Sequence, residues 1–489
     1  MAMIRVEDLT FSYPSSYDNI FEHVSFQVDT DWKLGFVGRN GRGKTTFLNL
    51  LLGKYEYSGR ITSPVRFNYF PYSVENPERE TMAVLRDVCP TGADWALERE
   101  LSLIGLRSDA LFRPFDTLSG GERTKALLAA LFVNEESFLL VDEPTNHLDI
   151  VARELVAAYL RRKKGFILVS HDRYFLDGCV DHILSLNRSS IEVQSGNFSS
   201  WFSNFERRQA FEQERNERLM KDIVRLKKAA QRTSDWSDRV EAGKIGEGAG
   251  DRGYIGHKAA KMMKRSKSIE QRRQRAIEEK SGLLKDLERA ESLKLQPLSP
   301  HCATRLISCR DVTIRYDGRR VCGPVTFTLA PGERLALSGA NGSGKTTLLR
   351  LLVGEQLDHT GSLEIASGLL VSYVPQDTAH LQGSLLDYAR RCRIDTTQFL
   401  TILRKLDFAR LQFEKDLRDF SGGQKKKVLI ARSLCERAHL YVWDEPLNYV
   451  DIYSRIQIEE LLLAYAPTMV FVEHDRAFRD AVATRTFPL

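Results

Sequence analysis

Gly38-Arg39-Asn40-Gly41-Arg42-Gly43-Lys44-Thr45 returns later in the same chain as Gly339-Ala340-Asn341-Gly342-Ser343-Gly344-Lys345-Thr346. Both copies fit G-x-x-x-x-G-K-[ST], a phosphate-binding loop. Glycines allow the backbone to curl round a phosphate with its N–H groups turned inward. The lysine reaches the outer phosphates, and the threonine hydroxyl can hold Mg²⁺. Each loop follows an apolar, strand-like run, Leu34-Gly35-Phe36-Val37 or Leu335-Ala336-Leu337, and precedes a helix-like run at 47–52 or 348–353. One match can be accidental. Two in strand–loop–helix context predict nucleotide binding. One set is Gly38, Asn40, Gly41, Gly43, Lys44, Thr45 and Thr46; the other is Gly339, Asn341, Gly342, Gly344, Lys345, Thr346 and Thr347.

The loops are the first of four repeated motifs. Leu118-Ser119-Gly120-Gly121-Glu122 recurs as Phe420-Ser421-Gly422-Gly423-Gln424. The segment 138–143 recurs at 440–445, and Ser170-His171-Asp172-Arg173 recurs as Glu473-His474-Asp475-Arg476, all at offsets of 301 to 303 residues. Constant order and spacing predict two copies of one domain, at 1–200 and 301–489. Strand-like and helix-like runs alternate within each copy, the pattern of an α/β domain with a mostly parallel sheet.

Residues 201–300 read differently. Stretches 209–240 and 257–291 lack proline and are rich in Lys, Arg, Glu, Gln and Ala, all good helix formers. Leu219, Ile223 and Leu226 share one helical face, as do Ile277, Leu284 and Leu287 at heptad-compatible positions. Six glycines at 242–256 separate the two arms. The expectation is an antiparallel helical hairpin with a flexible tip, each arm on the order of 50–60 Å long, so that part of it projects.

Composition bounds the function classes. The chain has 489 residues and a net charge of +6, and residues 201–300 carry 24 Lys+Arg against 16 Asp+Glu. The basic excess is therefore confined to the middle, the electrostatic footprint of a polyanionic partner. The apolar run at 126–133 is far shorter than the roughly 18 residues of a membrane span, and the first residues show no secretory h-region. Seven scattered cysteines without a C-x-x-C pair argue against a zinc site or a disulfide framework. These features predict a soluble, cytoplasmic protein.

The chemistry is concentrated at strand ends. Leu139-Leu140-Val141-Asp142-Glu143 and Tyr441-Val442-Trp443-Asp444-Glu445 each close an apolar run with two acids. An isolated Asp-Glu is usually a solvated strand end. At matched spacing behind a phosphate loop, Asp142 and Asp444 are expected to hold Mg²⁺, with Glu143 and Glu445 polarising the attacking water. Ser119, Gly120 and Gly121, and likewise Ser421, Gly422 and Gly423, offer a hydroxyl and glycine N–H groups at a helix start, where anions bind. His171 and His474 follow apolar strands and could reach a γ-phosphate, although a lone histidine there is more often structural.

Together these motifs resemble the ATP-binding cassette (ABC) ATPases over both copies. The resemblance implies two composite sites, each holding ATP and Mg²⁺ between one cassette's phosphate loop and the other's Ser-Gly-Gly signature. It places Tyr13 and Tyr316 against adenine, and Gln376 of Val374-Pro375-Gln376 on Mg²⁺ and the water. The first copy has Tyr72 where the second has Gln376. The loops after the acids also differ, with Pro144-Thr145-Asn146-His147-Leu148-Asp149 against Pro446-Leu447-Asn448-Tyr449-Val450-Asp451. Unequal sites are expected, both retaining the catalytic-position glutamate.

Two cassettes joined by a basic hairpin, with no membrane segment, resemble the ABC-F translation factors. The tip looks like that of antibiotic-resistance ribosome-protection proteins of the lincosamide, pleuromutilin and streptogramin A type. That resemblance implies a 70S ribosome partner, contacts to 23S rRNA and the P-site tRNA, and a working monomer without a stable membrane partner. Lys258, Lys261, Lys264 and Arg265 suit an RNA backbone, and Tyr254 and His257 could stack on a base; a solvated coiled-coil face is the plain alternative. A housekeeping factor of the same class, a transporter's ATPase subunit and a chromosome-structure ATPase are the rivals.

Overall fold

The computed structural model describes residues 2–14, 19–90, 92–134, 137–187, 190–242, 272, 292–316 and 318–489, without the side chains of 147, 227 and 229–242. It divides into two units, Met1–Trp201 with Ala290–Leu489, and Phe202–Arg289.

In the first unit each cassette is built on two sheets. The first cassette has an antiparallel sheet of β1 (Met3–Phe11), β2 (Phe21–Asp29) and β4 (Ser58–Thr62), in order β2-β1-β4. Its second sheet contains β3 (Lys33–Val37), β5 (Arg66–Phe70), β6 (Ser137–Asp142), β7 (Phe166–Val169), β8 (His182–Leu186) and β9 (Ile191–Ser195), in order β5-β6-β7-β3-β8-β9. All pairs in it are parallel except the β8–β9 hairpin. Strands β6 and β7 are apolar along nearly their whole length because both faces of a parallel sheet are covered.

The second cassette repeats the plan. Strands β10 (Ile307–Tyr316), β11 (Arg319–Leu329) and β13 (His359–Ile365) form its antiparallel sheet. Strands β12 (Arg334–Ser338), β14 (Val371–Val374), β15 (Leu440–Asp444), β16 (Met469–Val472) and β17 (Arg485–Pro488) form its parallel one, in order β14-β15-β16-β12-β17. The antiparallel sheets were not part of the sequence expectation; their alternating burial gives a weaker signal than the continuous apolar runs beside them.

The helix after each phosphate loop, α1 (Lys44–Leu51) or its counterpart Lys345–Val353, shares one core with strands of both sheets. Phe47 and Leu48 lie among Val6, Phe21, Phe36 and Leu140, and the loop is thereby fixed on a packed layer. The opposite face of the second parallel sheet is covered by helices, with Trp443 and Tyr441 packed on Phe399, Val428 and Leu434.

Of the second unit, the described part is the continuation of one helix, Phe198–Ala242. It begins earlier than residue 209 and carries exposed one-turn pairs such as Glu214–Arg218 at 2.5 Å. The glycine-rich tip, the second arm apart from Arg272, and Tyr254, His257, Lys258, Lys261, Lys264 and Arg265 lie outside the described residues. No helix among the described residues is long and apolar enough to cross a membrane.

Candidate active sites at the cassette interface

Each phosphate loop turns from strand into helix at a glycine in the left-handed region, Gly43 at φ 103° and Gly344 at φ 89°. A Cβ at these positions would stand 2.6 Å from Ile20 and 2.7 Å from Cys322, so the close approach excludes any side chain. Lys44 Nζ donates to the carbonyls of Gly38 (2.6 Å) and Arg39 (3.3 Å) and to Asn40 Oδ1 (3.3 Å). Lys345 Nζ donates to the carbonyls of Gly339 (2.9 Å) and Ala340 (2.8 Å). Burial lowers the pKa of both ammonium groups. Tyr13 lies against this region and its hydroxyl is 2.8 Å from Thr46 Oγ1, whereas Tyr316 is exposed.

The acidic strand ends meet the loops, but differently in the two cassettes. Asp142 accepts hydrogen bonds from Thr45 (3.0 Å) and from the Tyr69 hydroxyl (3.1 Å). Tyr69, in β5, was not singled out by the sequence; Tyr72, aligned with Gln376, is exposed. Asp444 is fully buried beside the Thr346 hydroxyl, and its two carboxylate oxygens lack an aligned hydrogen bond. A buried, unsatisfied carboxylate beside a threonine hydroxyl is a hard-oxygen donor set suited to Mg²⁺. Burial pushes the Asp444 carboxyl up to about 6.

Glu143 and Glu445 sit at φ 51° and 47°, a left-handed conformation unusual for glutamate and typical of strain kept at working sites. Glu445 is well supplied with partners: Gln376 Nε2 donates at 2.8 Å, Asn448 Nδ2 at 2.7 Å, and His474 Nε2 is 3.3 Å away. Burial raises its pKa, but His474, Gln376 and Lys426 outweigh that and hold it below the ordinary value. Glu143 has His171 Nε2 at 3.2 Å, yet its Oε1 lacks an aligned hydrogen bond because that nitrogen is 3.1 Å from Asn40 Oδ1. Burial, with Asp142 adjacent, pushes Glu143 up to about 8. Burial also pushes His171 well below its usual value, so its ring is neutral.

The helices that begin at the signatures, Gly120–Leu131 and Gly422–Cys435, are started by capping boxes. Ser119 and Ser421 accept from the N–H groups of Glu122 and Gln424 (3.3 Å each), whose side chains return to the serine N–H. Ser119, Gly120 and Gly121 then line one cavity of about 790 Å³ together with Asn341, Gly342, Gly344, Lys345, Thr346, Thr347, Gln376, Glu445 and His474. One cassette's signature thus faces the other's phosphate loop, acid and histidine.

The opposite diagonal is in direct contact. Asn40 Nδ2 donates to the Tyr449 carbonyl at 2.7 Å, and a Cβ on Gly423 would be 2.9 Å from that nitrogen and 2.3 Å from that oxygen. Gly422 lies under the Tyr449 ring, at 3.4 Å from its own would-be Cβ. Asn40 therefore ties Lys44, His171 and the second cassette's Tyr449 into one network. Gly423→Ala is expected to force this junction apart and lower ATP turnover by about tenfold, measured as phosphate release, the scale of one lost stabilising contact. Turnover within twofold of the parent would show that the junction does not close in the cycle.

Glu143 also links stability to pH. Its native pKa of about 8 lies above the ordinary 4.5, so its stabilising contribution is complete below the unfolded value and is lost as pH rises through about 8. Glu143→Gln, which cannot ionise, is expected to gain stability relative to the parent between pH 5 and pH 8.5. Urea unfolding at both pH values measures the difference; a constant gap would contradict a protonated Glu143.

The ABC transporter family model matches residues 21–146 and 322–448. Ribosome protection protein VmlR of Bacillus subtilis (strain 168) is 28% identical, over 96% of this chain and 84% of that protein. Probable ATP-binding protein YheS of Escherichia coli (strain K12) is 27% identical, over 94% of this chain and 74% of its own. A crystal structure of an archaeal ribosome recycling factor with a ribosomal stalk protein superposes with a TM-score of 0.63 at 21% identity, over 98% of this chain and 87% of that one. Two phosphate loops, two signatures and two acid pairs, brought together crosswise, account for both matched segments, and the chain belongs to the ABC transporter family as a tandem-cassette ATPase.

Proposed function

We propose that the protein is an ABC-F factor of the cytoplasm that binds the bacterial 70S ribosome at its E site in the ATP-bound state. Residues 201–300 then reach towards the peptidyl-transferase centre, meeting 23S rRNA and the P-site tRNA. Bound lincosamides, pleuromutilins or streptogramin A leave as the drug site is reshaped. The observation that carries this reading is an alignment with VmlR that runs through both cassettes and the basic segment between them. The second reading is a translation factor of the same class with no role in resistance, since the chain is about as similar to YheS, a probable ATP-binding protein, as to VmlR.

In the ATPase cycle, Lys44 and Lys345 bind the outer phosphates, and the glycine N–H groups of the opposite signature close over them. Thr346 and Asp444 with Gln376, and Thr45 with Asp142, would hold Mg²⁺, which would supply charge neutralisation at the phosphates. Glu445 orients and deprotonates the attacking water. Gln376 and Asn448 fix its carboxylate, and His474 sits beside it to reach the γ-phosphate. Tyr13 and Tyr316 flank the adenine side.

Trapping tests the reading. A Glu143→Gln, Glu445→Gln chain expressed in bacteria is expected to sediment with 70S particles through a sucrose cushion when ATP is present. Sedimentation that ignores ATP, or follows membranes, would sink the ribosomal reading. Drug susceptibility on expression separates the two readings: protection against the named drugs supports the first, unchanged susceptibility the second.

A further inference from the structure

The two diagonals of the cassette interface differ at four matched positions. On the first, Arg39 Nη1 lies 3.7 Å and Arg42 Nη2 3.4 Å from the carboxylate of Asp407 in the second cassette. The Arg39 guanidinium also covers the Tyr453 ring at 5.4 Å. Arg39 is buried, whereas Arg42 and Asp407 each keep part of the side chain exposed, so added salt still reaches the cluster. In the second phosphate loop the positions of Arg39 and Arg42 are Ala340 and Ser343. Counted from the signatures at the same offset of 302, the first cassette places Gly105 where the second has Asp407, and Val151 where it has Tyr453. Both ends of the contact are thus present on one diagonal and absent from the other.

Backbone conformation adds an independent mark. Gly105 and Asp407 both hold positive φ, 73° and 68°. Glycine adopts this freely and aspartate only at a modest cost, which a contact made by its side chain can offset. That contact is the grip of Arg39 and Arg42 on the carboxylate.

We propose that Asp407, Arg39 and Arg42 form a one-sided ionic latch that holds the first phosphate loop on the second cassette while the other composite site opens and closes. They are positioning residues: they act through the placement of Asn40 and Lys44, next to them in the loop. The latch rests on the assignment of two composite ATP sites made above, and its test needs no ribosome.

The full-length Glu143→Gln, Glu445→Gln chain is loaded with a fluorescent ATP analogue and chased with excess ATP. Release in two phases is expected, with Lys44→Ala abolishing the slow one. Asp407→Gly copies the first cassette, relaxes the backbone and keeps the fold; it is expected to speed the slow phase about tenfold, the scale of a charge-assisted hydrogen bond, and to leave the fast phase alone. Added KCl should speed the slow phase of the parent but not of Asp407→Gly. The converse transplant, Gly105→Asp with Ser343→Arg, should slow the fast phase. Single-phase release in the parent, or a slow phase indifferent to both Asp407→Gly and salt, overturns the latch. Failure to bind the analogue at all overturns the site assignment, and the latch with it.

Discussion

Glu445→Gln is expected to lower ATP turnover by about 10²–10⁴-fold at pH 7, the range for loss of a general base, while Glu143→Gln lowers it only severalfold. The two glutamates occupy matched positions with matched strain, so local sequence alone would equate them. Their surroundings do not. Glu445 is held ionised by His474, Gln376 and Lys426 against the cost of burial, and a carboxylate is what a base must be. Glu143 is pushed up to about 8 by burial and by Asp142, so at pH 7 most of it carries a proton. As pH rises through 8, Glu143 ionises and the penalty of Glu143→Gln should grow. Phosphate release by each variant from pH 6.5 to 9 measures this; equal losses at pH 7 would refute the ordering.

The second large effect is structural. Arg455→Ala should destabilise the second cassette by about 3–5 kcal/mol, the cost of leaving a buried charge unpaired. Arg455 lies in the helix Ile452–Tyr465, and its guanidinium donates to Asp475 (2.8 Å) and to the carbonyls of Val450 and Leu447 (2.9 Å each). It thereby pins the loop that carries Tyr449 to the residue following His474. Removing it strands a fully buried Asp475 and frees two carbonyls at once. The first cassette makes the same construction with Arg153, Asp172, Leu148 and Thr145. Denaturant unfolding monitored at Trp443, in the core of the affected cassette, reads the loss. A change under 1 kcal/mol would mean that water enters and solvates Asp475.

Much of this was legible in the chain. Phosphate loops, signatures and acidic strand ends declare themselves through fixed local spacing, and the buried parallel strands through unbroken apolar runs. What spacing could not reveal were partners drawn from afar. Asn40 meets Tyr449, and Arg42 meets Asp407, across more than 360 residues. Tyr69 belongs to no motif, and its hydroxyl meets Asp142 only because β5 pairs with β6 in the folded sheet. The two sites differ in sequence at Tyr72 against Gln376 and at His147 against Tyr449, and in structure also through the contacts of Arg39 and Arg42 with Asp407. Setting one copy beside the other exposes that difference as paired changes at Ala340, Ser343 and Gly105.

Those paired changes also bear on which halves can join. A cassette's phosphate loop is complete only against a signature from another cassette, so separated halves would seek any partner offered. Two first halves would set Arg39 and Arg42 against Gly105, which offers them no carboxylate. Two second halves would leave two Asp407 carboxylates facing Ala340 and Ser343. Only the mixed couple matches the charges, and it does so once. The same three side chains therefore match a first half to a second half and disfavour the pairing of like halves.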